Sequence, residues 1–341
     1  MTTPDPTGDT DAPPLRWGII GTGWIADRFV DDLSLLASAE VVAVGSRTQA
    51  AADVFADRLG IPRRHSSYAD LVADPDVDAV YVGTPHPGHH NAALSAIQAG
   101  KAVLCEKPFT VNASEAIHLV DVARRLGVFL MEAMWTRFVP HIVQLREIIA
   151  AGRLGDVRMV IVDHCQWFER DPRHRLFAPD LAGGALLDLG IYPVSFSSML
   201  FGNPKTVTAV SDPAFTGVDG LTSIVLQHDG GRQSVLTTTL EALGPNRAAV
   251  VGTDARIEIE SVWYAPSRFT LVPREGDPEV FDPPHEGNGL RHQAAEVARC
   301  VAAGLLESPV MPLDETVAIM RTLDEVRHQI GLVYPGETPP A

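Results

Sequence analysis

The chain has 341 residues, 45% of them hydrophobic, enough to bury about two domain cores. A formal net charge of -16 argues against nucleic acid and anionic membranes as partners, and no run of eighteen apolar residues suggests a membrane span. Three widely separated cysteines, Cys105, Cys165 and Cys300, point to neither a disulfide framework nor a zinc site and fit reduced core thiols in a cytoplasmic protein.

Residues 1–14 hold Thr, Asp, Gly and Pro, with no basic or apolar region, and are expected to be a disordered tail and not a signal peptide. A strand over Leu15 to Ile20 then runs into Gly21-Thr22-Gly23-Trp24-Ile25-Ala26, which opens a helix through Leu33. This is the G-x-G-x-x-G/A pattern in its strand–turn–helix setting. Gly21 permits the tight turn, Gly23 lets the backbone approach a pyrophosphate, and Ala26 allows close packing of helix on strand. The free N–H groups of the helix start would face the anion. Gly21, Thr22, Gly23, Trp24 and Ile25 are therefore expected at a dinucleotide; the alternative is a glycine-rich structural turn.

The strand Glu40 to Gly45 ends in Ser46-Arg47. NAD-preferring sites place a carboxylate there for the ribose 2′-OH, whereas a small hydroxyl and a guanidinium suit a 2′-phosphate. NADP(H) is the expected cofactor, with NAD(H) the alternative; read blandly, Arg47 only begins the helix Thr48 to Leu59. A buried-type strand, Asp78 to Pro85, leads into a loop, and Thr84, Pro85, His86 and His89 would stand beside the cofactor. His86, His89 and His90 invite a metal reading, but no carboxylate or cysteine cluster accompanies them, and no metal is expected.

After a helix over Gly88 to Ala99 comes Lys101-Ala102-Val103-Leu104-Cys105-Glu106-Lys107-Pro108, an apolar strand that halts at Glu-Lys-Pro. Only three of the 27 basic residues are lysines, Lys101, Lys107 and Lys205. A lysine kept where arginine dominates raises the question of whether the site needs a compact ammonium with a movable pKa. Lys107 stands at a strand end, where ligands bind in open α/β sheets; a plain surface lysine is the alternative. A helix over Ala113 to Leu126 and a strand over Val128 to Met131 continue the alternation, which implies a doubly wound parallel sheet. Trp135 and Arg137 follow at another strand end and either wall a pocket or pack a joint between domains.

Beyond Ala151-Gly152 the pattern becomes short alternating strands, expected at Val157 to Val162, Thr206 to Val210, Thr222 to Gln227, Ser234 to Leu240, Ala248 to Gly252, Arg256 to Ile259 and Arg268 to Leu271. They read as a mostly antiparallel sheet in an α+β domain. One helical segment, Gly183 to about Met199, carries Asp188 and Tyr192 four apart, on one face. A carboxylate and a phenol among leucines are costly to bury without a task or partners; a capping Asp and a core Tyr are the plain alternative. Amphipathic helices Gly289 to Ala303 and Leu313 to Ile330 close the chain.

These stretches together resemble the glucose-fructose oxidoreductase, inositol dehydrogenase and rhizopine-catabolism (Gfo/Idh/MocA) family, and within it the branch of dihydrodiol and NADP-dependent D-xylose 1-dehydrogenases. The glycine motif, Gly45-Ser46-Arg47, Cys105-Glu106-Lys107-Pro108, Met131 to Phe138 and Gly184 to Pro193 carry the likeness, over about Leu15 to Glu337. It implies a Rossmann domain over 15–135, a substrate-binding and oligomerisation α+β domain over 136–337 whose last helices pack back on the first, and a homodimer or homotetramer through the second sheet. It also implies a catalytic Lys107 with Glu106 beside the cofactor. Where much of the family has a histidine as acid/base, this sequence has Tyr192, as the nearer branch does.

The activity so implied is NADP(H)-dependent hydride transfer at a CH–OH carbon of a sugar or cyclic diol. Tyr192 would exchange the hydroxyl proton, Lys107 would supply the charge that favours phenolate, and Asp188 would orient the pair. Trp135, Trp167, Phe168 and Trp263 are candidates for a substrate wall, with Tyr264 and Arg137 beside them. Two rivals are an NADPH-dependent reductase of ketones or dicarbonyl sugars and a non-catalytic NADP-binding regulator.

Overall fold

The computed structural model describes residues 12–337. Most of the expected tail, residues 1–11, lies outside them, and Ala12, counted in that tail, is buried. The chain divides into two compact units. One runs up to Val139 and takes in Glu286–Val317; the other comprises Pro140–His285 and the chain from Ala318 onward.

In the first unit, β1 (Leu15–Ile20), α1 (Trp24–Leu33), β2 (Ala39–Gly45), α2 (Gln49–Leu59), β3 (Arg63–His65), α3 (Tyr68–Val72), β4 (Ala79–Val82), α4 (His89–Gln98), β5 (Ala102–Glu106), α5 (Ala113–Leu126) and β6 (Leu130–Ala133) alternate. The six strands form one parallel sheet in the order β3-β2-β1-β4-β5-β6. The central strands are buried on both faces, β4 and β5 throughout, because helices must cross between parallel neighbours. The strand order reverses between β1 and β4, so the crevice at their carboxyl ends is the ligand site such sheets provide. Helix ends obey local chemistry. Thr48 caps α2 by accepting from Ala51 N, and Asn112 caps α5 by accepting from Glu115 N at 3.0 Å. Gly60 and Gly127 end those helices in the left-handed region. The short β3 and α3 carry too few residues to show a period, and the sequence did not announce them.

The second unit holds α6 (Pro140–Ala150), β7 (Val157–Cys165), a π-helical turn (Leu186–Gly190) running into α7 (Ile191–Phe201), and β8 (Thr206–Pro213), β9 (Asp219–Gln227), β10 (Gln233–Thr239), β11 (Ala248–Gly252), β12 (Ala255–Ile259), β13 (Phe269–Pro273) and β14 (Glu279–Phe281). Its eight strands run β14-β13-β12-β11-β7-β10-β9-β8, with β7 and β10 parallel and the other neighbours antiparallel. Alternation sets one face inward: Val160, Val162 and His164 on β7, Ser234, Leu236 and Thr238 on β10, and Thr222, Ile224 and Leu226 on β9 are buried. The π turn and α7 lie on that face, over β7 and β10.

The remaining helices are α8 (Arg291–Ala302) and α9 (Leu313–Ile330). The sequence placed a boundary after residue 135 and expected the last helices to pack back on the first domain; Glu286–Val317, with α8, belongs to the first unit. The reason is polar as well as apolar. Asp32, buried near the end of α1, accepts from Asn288 N at 2.8 Å, Asn288 Nδ2 at 2.9 Å and Leu290 N at 2.6 Å. Leu130 N also donates to Leu306 O at 3.1 Å.

The stretch Pro179–Phe201 is long and apolar enough to cross a membrane by length and composition, yet 83% of its most apolar window is buried inside the structure. A helix apolar all round is a core helix or a membrane span, and here it is covered by its own sheet. Replacing Asp32 by Ala strands three donors at once, and the expected loss of unfolding free energy is about 2 to 4 kcal/mol. Urea denaturation measures it; an unchanged midpoint would show the Asp32 bonds to be dispensable.

Candidate active site

The first unit presents its polar groups at the carboxyl ends of β1, β4 and β5. Gly21 leaves β1 with φ of 101°, and a Cβ there would stand 2.7 Å from Gly83 O, so the turn admits only glycine. Gly23 is exposed, with open space where a side chain would be, and it starts α1 without a side-chain cap. The amides of Trp24 and Ile25 thus open a helix that brings no acceptor of its own, and a pyrophosphate fits that cradle. Thr22 is half-buried and Trp24 fully displayed, with the Arg28 guanidinium 5.7 Å above its ring. At the end of β2, Ser46 is buried, its N–H donating to His65 O at 3.1 Å, and Arg47 is exposed just before the α2 cap.

Lys107 follows β5 on a braced turn. Glu106, buried, accepts from the Tyr81 hydroxyl at 2.7 Å and from Lys107 N at 3.1 Å, and these bonds hold the turn. The Lys107–Pro108 bond is cis, and Phe109 N donates to Glu132 Oε1 at 3.1 Å. Of the other lysines, Lys101 donates to Asp74 O and Val77 O, and Lys205 pairs with Asp229. Lys107 is half-buried at the strand end.

The histidines separate. His89 lies with Nδ1 2.8 Å from Pro108 O and Nε2 2.8 Å from Thr84 O, joining the loops after β4 and β5. Burial pushes its pKa down to about 3, against the pull of the two carbonyls, so the neutral ring donates to one of them. His90 instead meets His118 at 2.8 Å, and His86 is buried with its ring 5.8 Å from that of His89. Thr84 is half-buried and Pro85 exposed. Trp135 and Arg137 lie in a 3-10 turn after β6. Arg137 is 2% exposed and its guanidinium is engaged by Glu315 at 2.6 Å and Val310 O at 3.2 Å, contacts that brace the 310–315 segment.

In the second unit, Asp188 and Tyr192 both come from the helix laid on the sheet and are both buried. Asp188 sits inside the π turn, and Tyr192 follows in the first turn of α7. Arg175 bonds both its oxygens, at 2.9 and 3.4 Å. The Tyr192 ring meets His164 at 5.0 Å edge-on and Tyr264 at 5.3 Å, and His164 stacks on Tyr264 at 3.9 Å. Gln166 donates to the Tyr264 hydroxyl at 3.1 Å. His164 and Arg175 were missed by sequence reasoning. His164 had a signal, since it continues the inward alternation of Val160 and Val162; Arg175, in an irregular loop, had none.

The residues expected in the substrate wall lie in different settings. Trp263 is fully buried, its indole N–H donating to Asp163 O at 2.9 Å and its carbonyl accepting from His141 Nε2 at 2.9 Å. It is a core ring beneath Tyr264, not a wall. Trp167 is exposed, in a bridge to Glu241, and Phe168 stacks with His174 at 5.9 Å. Among the described residues no group of three or more His, Cys, Asp or Glu is placed to hold a metal.

Matches to known proteins cover most of the chain. The family model described as "Oxidoreductase family, NAD-binding Rossmann fold" matches residues 15–134, and that of the GFO/IDH/MocA C-terminal domain matches residues 142–258. The chain is 42% identical to trans-1,2-dihydrobenzene-1,2-diol dehydrogenase of Mus musculus over 335 residues, covering 94% of this chain and 98% of that one. Its identity to the Homo sapiens protein of the same name is 38%, with the same coverage. Among solved structures it is similar to an aldose-aldose oxidoreductase from Caulobacter crescentus complexed with glycerol (TM-score 0.85, 26% identity, 93% and 97% of the two chains). It is similar too to a 3-ketoreductase from Actinomadura kijaniata in complex with NADP and TDP-benzene (TM-score 0.82, 27% identity, 93% and 98%).

Burial pushes the Glu132 carboxyl from the ordinary 4.5 up to about 7, outweighing the Arg137 charge. The folded state therefore binds this proton more tightly than the unfolded chain, a contribution complete below pH 4.5 and lost as pH rises through about 7. Glu132→Gln is expected to flatten the fall in stability across that window, read from urea midpoints at about pH 5 and about pH 8. Equal slopes for the two proteins would show that Glu132 does not titrate there.

Proposed function

The chain belongs to the GFO/IDH/MocA oxidoreductase family, and we propose that it transfers hydride between NADP(H) and a CH–OH carbon of a sugar or cyclic diol. The observation that carries the reading is the pairing, in one sequence, of an open glycine cradle, a braced Glu106-Lys107-Pro108 turn and a buried Tyr192 beside His164. The names of the relatives supply the substrate class: a dihydrodiol, an aldose, a 3-keto group.

When bound, a nicotinamide supplies the two-electron hydride acceptor or donor. The chain's own residues handle the proton. Tyr192 takes it from the substrate hydroxyl during oxidation and returns it during reduction. A phenol is a poor base at neutral pH, and the Lys107 ammonium favours the phenolate and hydrogen-bonds the reacting oxygen. Asp188, neutralised by Arg175, orients the phenol or a neighbouring substrate hydroxyl. Trp135, Trp167, Phe168 and Tyr264 remain the candidates for the sugar or diol faces. One neighbour, the 3-ketoreductase, has been solved with a lysine replaced and with a tyrosine replaced, the same two residue types assigned here. Its name also favours the reductive direction as a second reading.

At the 2′ position, exposed Arg47 and buried Ser46 at the start of α2 support NADP(H) over NAD(H). The first unit would be the dinucleotide domain and the second the substrate domain, with free, buried Cys105, Cys165 and Cys300 suiting a cytoplasmic setting. The second unit's sheet also supports self-association. Ile161, Val235 and Val225 form one cross-strand row on its outward face, 45%, 39% and 38% exposed, an apolar face that a second copy would cover.

Following NADPH absorbance against aldoses, cyclic diols and ketones tests the class, and no turnover with any of them would leave the regulator reading. Lys107→Met and Tyr192→Phe are each expected to lose about a hundredfold or more in kcat while NADP still binds; retention within a few fold rejects their roles. Arg47→Ala is expected to raise the KM for NADP about tenfold without affecting NAD. Ile161→Glu is expected to yield monomers in sedimentation, and a wild-type protein already monomeric rejects the sheet-to-sheet assembly.

A further inference from the structure

Asp219 opens β9 with its carboxylate 3% exposed. Its Oδ2 accepts from the Leu186 backbone N–H at 2.7 Å and from the Thr222 hydroxyl at 3.0 Å. Its Oδ1 has no hydrogen-bond partner among the described residues and lies against Gly184, where a Cβ would stand 2.0 Å from it. Gly184 holds φ of 124°, so two independent facts exclude any other residue there. On the preceding residue, the Tyr334 hydroxyl donates to Gly183 O at 2.6 Å, and the Arg327 guanidinium covers the Tyr334 ring at 4.5 Å. The glycine pair is thus held by a strand carboxylate and by a phenol from the C-terminal segment. The helical segment beginning at Leu186 has no side-chain cap from its own flank. Its orphan donor finds this distant acceptor, with the sign of charge that a helix start favours.

We propose that Asp219, with Tyr334, is a positioning residue: it fixes where the helix carrying Asp188 and Tyr192 begins, and so where those two side chains stand. The proposal rests on the reading above that Asp188 and Tyr192 serve the reaction. Burying a carboxylate is costly, and burial pushes this one up to about 7 despite its bonds from Leu186 N and Thr222. What the helix uses is the acceptor oxygen, which an amide supplies equally.

The chain has five tyrosines, so protein labelled with 13C at the tyrosine Cζ gives a resolvable set of signals, and Tyr192→Phe identifies that of Tyr192. Asp219→Ala is expected to displace the Tyr192 signal and lower kcat tenfold or more, on the order of 1.4 kcal/mol, with the dissociation constant for NADP unchanged. Asp219→Asn is expected to restore both. If Asp219→Ala lowers only the melting temperature and leaves signal and kcat as in wild type, Asp219 is merely structural and the proposal is overturned. If the signal moves and kcat does not, positioning stands and the assignment of Tyr192 to the reaction fails. Should Asp219→Ala not fold, Tyr334→Phe, which removes only the hydroxyl on Gly183 O, is read in the same way: a displaced signal supports the proposal, an unmoved one overturns it.

Discussion

The first amides of a helix have no partner within the helix, and each must find an acceptor elsewhere. Two helix starts in this chain, one in each unit, meet that requirement in opposite ways. At α1 the start is glycine, exposed and uncapped, so its donors stay available to a dinucleotide. At Leu186 the start is buried under its own unit, water cannot reach it, and a carboxylate from β9 takes the role instead. An open start binds a ligand, whereas a closed start holds a helix rigidly enough to carry functional side chains.

Buried acids recur in both units for related reasons. Glu106, Glu132 and Asp32 in the first unit and Asp188 and Asp219 in the second are all buried. Each accepts from backbone or side-chain donors near a chain turn: Lys107 N, Phe109 N, Leu290 N, Arg175, Leu186 N. A carboxylate can bind several donors at once with charge-assisted strength, which suits turns that no regular ladder satisfies. The cost appears as raised proton affinity: Glu132 and Asp219 both rise to about 7. Lys107 stands on a turn tied by two of these acids, Glu106 at its own N–H and Glu132 at Phe109 N, so its backbone is fixed in a charged and largely dry setting.

Residues whose role follows from local pattern were legible in the sequence. The glycine turn, Ser46-Arg47 and the Glu106-Lys107-Pro108 strand end all lie where alternation of strand and helix put them, and His89 lies in the expected loop. Residues whose role depends on who lies opposite were not. Trp263 reads as an aromatic wall but is sealed in the core, because β7 supplies the acceptor for its indole N–H and Phe196 of α7 packs against its ring at 5.1 Å. Arg137 reads as a pocket cation but meets Glu315, distant in sequence.

The sequence by itself determined the periodic elements, the parallel sheet with its glycine-rich crossing, the antiparallel sheet and the composition of the chemical motifs, because these depend on neighbours within a few residues and on side-chain period. Only the tertiary structure decided that 286–317 joins the first unit, that Asp188 lies in a π turn, that His164 flanks Tyr192, and that Asp219 seats the helix start. Each of these is a hydrogen bond or ring contact between residues far apart in the chain. No local periodicity encodes which distant donor a buried acceptor will meet.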